Sequence, residues 1–332
     1  MQLKHYYEHN NAEINCSIQL INILSPGNIY SSEQLSQKLN ISLQDVNKYI
    51  AIVRNWGVDL ITYYNKYYLK QPLYLLDNNV IKLLLYSGRL EVLTVINSTN
   101  QYLINKINHL NIGDACVAEY QLNGRGRCGK KWFSSFGKNI YLSIYWRLKK
   151  HEPTALIGLS LMVGIIVAEI LQTFGVSNVK LKWPNDIYLN NRKLAGILVE
   201  MTGMSSSDIH VVMGIGINLA LPTSISTTWI SLQDIGIVII RNHIVAALTN
   251  ALRNSLLIFE KYGLSPFLLR WHILDYFYNQ PIQLIIGNVR SITGIYRGIN
   301  SSGALLLEEQ GKIKEYLSGN ISISLLEKSK VI

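Results

Sequence analysis

The spacing of apolar residues changes along the chain, and the changes mark its parts. Ile18 to Leu24 is a short apolar run that stops at Ser25-Pro26-Gly27, a turn signal. Ser32 stands where it can cap a helix whose Leu35 and Leu39 lie one turn apart. Asn40-Ile41-Ser42 predicts a tight turn, and Ser42 caps a second helix from Leu43 to Trp56. Val46, Ile50 and Val53 form the apolar stripe of that helix, at spacings of four and three. Gly57 ends it, and Val58 to Leu69 reads as two strands around Tyr64-Asn65-Lys66. Helix, turn, helix and β wing together predict a winged helix-turn-helix over 15–70, with the helix-turn-helix proper from Ser32 to Ala51. Residues 1–14 read as a polar extension, and 71–79 as a linker.

From 80 to 275 strand-like and helix-like periods alternate. Predicted strands are Leu90–Ile96, Cys116–Tyr120, Tyr141–Trp146, Lys180–Trp183, Ile187–Leu189, Lys193–Met201 and His210–Ile217. Predicted helices are Asn100–Asn108, Ala155–Phe174 and Asn242–Tyr262. The last part, 278–328, is β-rich with turns at Gly287-Asn288, Ser302-Gly303 and Gln310-Gly311, a length that suits a small SH3-like barrel. The fold class is therefore α+β, in several domains.

Composition narrows the function. With 332 residues, 48% of them hydrophobic and 16% charged, the chain is globular and long enough for two or three cores. The apolar stretch of Ala155 to Phe174 is interrupted at Glu169, short of the ~20 residues that cross a bilayer, so it reads as a buried core helix. Met1 to Asn15 lacks the apolar core of a signal peptide. A soluble, cytoplasmic protein with no membrane partner is expected. Cys16, Cys116 and Cys128 have no metal-ligand spacing, so no protein-held metal site is assigned, and their odd count gives no disulfide framework. The net charge of +10 points to phosphate or nucleic acid, against the rival that AT-rich coding sequence inflates Lys, Ile, Asn and Tyr.

Four segments carry candidate chemistry. In Gln121-Leu-Asn-Gly-Arg-Gly-Arg-Cys-Gly-Lys-Lys-Trp132, glycines permit close backbone approach while Arg125, Arg127, Lys130 and Lys131 match phosphate or carboxylate oxygens. It fits neither a P-loop nor a dinucleotide fingerprint, and alone it reads equally as a basic surface loop. Lys182-Trp-Pro-Asn-Asp186 and Asn191-Arg-Lys-Leu-Ala-Gly196 read as a β-hairpin in which Lys193 is either a ligand cation or a solvated strand end. Gly214-Ile-Gly-Ile-Asn218 ends a strand with glycines, and Asn97-Ser-Thr-Asn-Gln101 offers hydroxyls at a helix start.

These four motifs in this order, between a winged helix and a small β domain, resemble the bacterial bifunctional biotin–protein ligases and biotin operon repressors. The resemblance runs from about Leu20 to Lys328. It implies a catalytic domain of class II synthetase-like architecture that converts biotin and Mg²⁺-ATP to biotinyl-5′-adenylate. The acyl group then passes to a lysine of the biotin carboxyl carrier protein. It places Ser98, Thr99, Asn100 and Gln121 in the biotin pocket, with Gly126 approaching through its backbone. Arg125, Arg127 and Lys193 would face biotin and the acyl phosphate. Asn218 and Trp229 would sit with the nucleotide, Trp229 in a closing segment at about Leu219 to Trp229. Asp186 is a candidate to orient or deprotonate the acceptor amine, or simply a turn carboxylate. The adenylate would also serve as corepressor for a homodimer on operator DNA. Rival readings are a lipoate or octanoate ligase, and a biotin-sensing transcription factor with weak ligase activity.

The chain departs from the family pattern at several points. Cys128 stands where the loop often has arginine, and Asn97 where aspartate is common. The segment before Trp229 is about four residues short. On the second helix Leu43 replaces a basic residue and Asp45 adds a carboxylate. The wing lacks its two glycines. Over residues 1–70 six bases meet five acids, which gives little drive onto DNA.

Overall fold

The computed structural model describes residues 2–149, 155–204, 208–222, 227–287, 290–319 and 321–326. The first helix, α1 (Gln2–Leu24), runs through the expected polar extension without a break. A short strand β1 (Tyr30–Ser31) leads into α2 (Ser32–Leu39) and α3 (Leu43–Asn55). Ser31, not Ser32, caps α2: its hydroxyl accepts from the Gln34 N–H at 3.3 Å while Gln34 Oε1 accepts from the Ser31 N–H at 2.8 Å. Two adjacent serines are equal candidates by type, and Gln34 at the third helical position selects the first. Ser32 donates instead to Asn65 Oδ1 at 2.6 Å.

Strands β2 (Leu60–Tyr63) and β3 (Lys66–Leu69) form a hairpin, and β1 joins β3. Its turn places Tyr64 at φ 44° and Asn65 at φ 58°, so the left-handed strain falls on Tyr64, while Tyr67 lies in the strand. Leu20, Leu24, Leu35, Val46, Ile50 and Val53 fill a small core between these helices.

The expected linker ends in a helix, α4 (Asn78–Leu84), capped by Asp77. Next come β4 (Leu90–Ile96), α5 (Thr99–Asn105), β5 (Ala115–Gln121), β6 (Ile140–Lys149) and α6 (Ala155–Thr173). The chain continues through β7 (Val179–Lys182), β8 (Asp186–Leu189), β9 (Arg192–Met204), β10 (Asp208–Ile217), α7 (Arg241–Tyr262) and α8 (Leu268–Leu274). One seven-stranded sheet has the order β4-β5-β6-β10-β9-β8-β7, parallel only between β4 and β5. Helix α6 packs on one face of it with α7; its apolar window Leu156–Thr173 is 67% buried inside the protein, as a core helix is. Helix α4 and helix α8 were not expected: seven residues each hold too few turns for a 3.6-residue period to show.

The chain ends in a five-stranded antiparallel sheet, β14-β13-β12-β11-β15. Its strands are β11 (Pro281–Ile286), β12 (Arg290–Ile299), β13 (Leu305–Glu309), β14 (Lys312–Tyr316) and β15 (Ile321–Leu325). Ile282, Leu284, Tyr296 and Leu307 share one hydrophobic core with α6 and the large sheet, so the two sheets are fused rather than tethered. The Trp183 indole seals the joint by donating to the Gly303 carbonyl at 3.0 Å. The N-terminal unit docks through Trp56, which stacks on Tyr120 at 5.5 Å and on Phe136 at 5.8 Å between ring centroids. Tyr120 and Phe136 flank the glycine-arginine loop, so the docking surface grips both roots of that loop.

Candidate functional site

A cleft of about 620 Å³ opens on the face of the large sheet opposite α6 and is roofed by the C-terminal sheet through Ile285, Gly319, Ile321 and Ile323. Its floor is made by period-two alternation. Gly196 on β9 and Gly216 on β10 are register partners, and both turn the same face to the cleft. A Cβ added at Gly216 would lie 2.5 Å from Trp132 Cζ2, and one at Gly196 would lie 2.9 Å from Trp132 Cζ3. Glycine is required here for close approach, not for a left-handed backbone. Gly214, two positions along β10, admits Asn100 in the same way: an added Cβ would meet Asn100 Cγ at 3.0 Å.

The inner end of the cleft is a buried network of hydroxyls and amides, with the Glu200 carboxylate at its edge. Ser98 caps α5, and Thr99 donates from its N–H and its hydroxyl to Gln121 Oε1 at 3.0 and 3.1 Å. Ser143 Oγ lies 2.7 Å from Thr99 Oγ1 and 2.6 Å from Asn100 Oδ1. The Asn100 amide donates to the Leu198 carbonyl at 3.2 Å and to Glu200 Oε2 at 2.8 Å. Buried amides and hydroxyls held in this way are pre-oriented to bind a polar, uncharged ligand group.

The cations gather at the outer end. Lys193 Nζ is 2.6 Å from Asp186 Oδ1, and 5.6 Å from the centre of the Trp132 ring. Arg125 pairs with Glu200 at 2.8 Å. Arg127 donates to Asn185 Oδ1 and to the Gly319 carbonyl, each at 3.1 Å, and so ties the loop to both sheets. Burial holds the Arg127 guanidinium below its ordinary pKa, opposed by Cys128 and Asp186. Burial also lowers Lys182, whose amine donates to the Tyr188 hydroxyl at 3.0 Å with Asp186 opposing the shift. The loop is a small hairpin: the Gly126 N–H donates to the Lys130 carbonyl at 2.6 Å and the Trp132 N–H to the Gly124 carbonyl at 2.9 Å. Cys128 at φ 54° and Gly129 at φ 73° turn its tip.

The cleft thus collects Ser98, Thr99, Asn100, Gln121, Arg125, Gly126, Arg127, Asp186, Lys193 and Trp229. Asn218 is not among its lining. It is fully buried two positions beyond Gly216, where its Nδ2 donates to the Ile230 carbonyl at 3.4 Å while its Oδ1 has no hydrogen-bond partner among the described residues. The expected closing segment lies partly outside the described residues, at 223–226. Its far end is anchored, since Lys193 bonds the Thr228 carbonyl at 2.9 Å and the Ile230 N–H at 3.0 Å through its backbone. Trp229 meets Trp132 at 5.2 Å.

Sequence reasoning missed Trp132, Ser143 and Glu200. Ser143 carried a signal, a lone hydroxyl inside the apolar run of β6, and Glu200 shares the face of Gly196 at even spacing. No group of three or more His, Cys, Asp or Glu side chains able to hold a metal occurs among the described residues.

Residues 92–218 match the Biotin/lipoate A/B protein ligase family, and residues 277–324 the Biotin protein ligase C terminal domain. The Bifunctional ligase/repressor BirA of Salmonella typhimurium is 50% identical over 93% of this chain and 98% of its own length. The Escherichia coli protein of that name is 49% identical over 94% of this chain and 98% of its length. The biotin protein ligase from Aquifex aeolicus, solved in complex with biotin and ATP, superposes with a TM-score of 0.62 at 28% identity. That match covers 72% of this chain and all of the Aquifex chain.

Proposed function

The chain belongs to the bifunctional ligase/repressor family of biotin protein ligases, and from that premise we propose that it is an ATP-dependent biotin–carrier protein ligase. The observation that carries this is the division of the cleft into an inner neutral network around Thr99, Asn100 and Gln121 and an outer cluster of Lys193, Arg125 and Arg127. A ureido ring needs donors and acceptors without charge, whereas a carboxylate attacking an α-phosphate needs cations fixed where charge develops. Lys193 and Arg127 supply them. Asp186 holds Lys193 at 2.6 Å, which supports an orienting role for this carboxylate.

Magnesium would enter the cleft with ATP as part of the substrate. Asp186, paired with Lys193 at 2.6 Å, lines the cleft, and Glu200, paired with Arg125 at 2.8 Å, lies beside it. Once formed, a labile adenylate must be kept from water until the lysine of the biotin carboxyl carrier protein arrives. Arg127 bridging to Gly319 and Trp229 lying against Trp132 support such a closed cleft. The place of α6 inside the core fits a soluble, cytoplasmic enzyme.

Incubation with biotin, Mg²⁺-ATP and the apo carrier domain tests the proposal by avidin blot; no label at micromolar enzyme rejects it. Lipoate competing as well as biotin for adenylation would favour the lipoate-ligase rival. Within the same proposal, α1 to β3 form a winged helix-turn-helix, the central sheet is class II synthetase-like, the last sheet is SH3-like, and a homodimer loaded with adenylate represses an operator. The relatives' names support repression, and the capped α2–α3 pair with its hairpin supports the winged helix. A gel shift against operator DNA with biotinyl-adenylate decides; unchanged mobility at micromolar protein rejects repression.

A further inference from the structure

Asn139 precedes β6, belongs to none of the four motifs, and is fully buried. Its Oδ1 accepts from the backbone N–H groups of Leu219 and Ala220 at 2.8 and 3.0 Å. Its Nδ2 donates to the Tyr141 hydroxyl at 3.2 Å, and Tyr141 is part of the cleft wall. Its own carbonyl accepts from Arg241 at 3.5 Å. The same guanidinium pairs with Glu119 at 2.6 Å, with both side chains buried. That ion pair is bonded in turn to the Tyr74 carbonyl and the Leu76 N–H. The amide is therefore clamped between the cleft wall and a buried charge pair. It cannot rotate without leaving two buried N–H groups unbonded, an outcome folded proteins avoid.

Leu219 and Ala220 are the root of the segment that ends at Trp229. Asn139 fixes one end of that segment, and the backbone of Lys193 fixes the other. Leu219 also accepts from the Gln233 N–H at 2.9 Å and Asn218 from the Leu232 N–H at 3.1 Å, so the anchor at Asn139 is joined through described residues to the stretch that follows Trp229. We infer that Asn139 is a positioning residue for the nucleotide half of the site, acting through the Leu219–Ala220 root without touching ligand. The inference rests on the acyl-adenylate reading above, and on the place of Trp229 beside the nucleotide.

The test uses the full-length protein as wild type, Asn139→Ala and Asn139→Asp. Biotin affinity is read by calorimetry, the ATP KM by pyrophosphate exchange, and adenylate release by stopped-flow tryptophan fluorescence. Asn139→Ala is expected to raise the ATP KM and to speed adenylate release at least about tenfold each, since two backbone N–H groups lose their shared acceptor. Biotin affinity should stay within about twofold. Asn139→Asp keeps the acceptor and should restore both nucleotide values to within about threefold. If Asn139→Ala does not fold, Ala220→Pro removes one donor while leaving Asn139 in place, and should give the same nucleotide-selective loss. Equal losses for biotin and ATP, or ATP values like those of the wild type, would overturn the inference. Wild-type protein that forms no adenylate would instead overturn the ligase reading beneath it, a result visible before any variant is compared.

Discussion

Gly216→Ala perturbs the floor of the cleft by one methyl group, and the structure sets the size of the effect. The new Cβ would stand 2.5 Å from Trp132 Cζ2 and 2.7 Å from Nε1. Carbon atoms in ordinary contact sit about 3.5–4.0 Å apart, so the indole must retreat by roughly an ångström or more. It has one direction to go. The sheet lies beneath it, Trp229 sits 5.2 Å away and Lys193 covers its face at 5.6 Å, so the ring tilts into the 620 Å³ that a ligand would use. Overpacking of this kind costs about 1–3 kcal/mol, or roughly a 5- to 150-fold loss of biotin affinity. Titration calorimetry measures that loss, and tryptophan fluorescence reports the moved ring. Gly175→Ala is the control: its φ of +86° makes alanine strained, but an added Cβ there meets nothing within 4 Å. It should lower stability by about 1 kcal/mol and leave affinity alone. Affinity of Gly216→Ala within twofold of wild type would refute the claim that the glycine pair exists for close approach.

Lys193→Ala should slow pyrophosphate release about 10²- to 10³-fold, the cost of removing one fixed donor from developing charge, and near-normal release in single-turnover assays would reject its role. Trp56→Ala removes a buried ring held between Tyr120 and Phe136, and should cost about 3–5 kcal/mol by urea unfolding, with the N-terminal unit becoming protease-sensitive first. Burial raises the Asp275 carboxyl from 3.8 to about 6, with the Phe277 N–H and the Trp271 indole opposing. The folded state therefore binds this proton more tightly than the unfolded chain, so the stabilisation is complete below 3.8 and is lost as pH rises through about 6. Asp275→Asn should flatten the stability profile across that window; an unchanged slope in pH-dependent thermal melts would reject the assignment.

The strands of the large sheet were legible because each is a short run rich in apolar, β-branched or aromatic residues, from Leu90–Ile96 in β4 to Asp208–Ile217 in β10. Their order was not. Placing β10 between β6 and β9 depends on pairings such as Gly214 with Ser143 and Gly216 with Gly196, which no local pattern encodes. The site divides in the same way. Residues inside motifs were found, because glycines and cations cluster there in sequence. Glu200 and Asn139, outside the motifs, were not, and Trp132, the last residue of the first motif, was the exception among motif residues, because what makes these three matter is a neighbour far along the chain.

The same distinction bears on the net charge of +10. No acidic residue occurs between Glu119 and Glu152, while Arg125, Arg127, Lys130 and Lys131 crowd the loop in that interval, so the excess sits with the cleft. In the N-terminal unit two of the charges on α3 are engaged locally. Lys48 lies 2.5 Å from Glu13, and Asp45, rather than standing free at the start of α3, accepts from the Ser42 hydroxyl at 2.7 Å. Locking Asp45 into the cap lessens its repulsion of a phosphate, yet pairing Lys48 also lessens its attraction. One unit alone therefore has weak electrostatic hold on DNA. Two units joined rigidly would bind with the affinity of a linked pair, because the second contact is made at high effective concentration. Under the proposed adenylate-loaded homodimer, repression would then depend on dimerisation more steeply than in a protein whose second helix is basic.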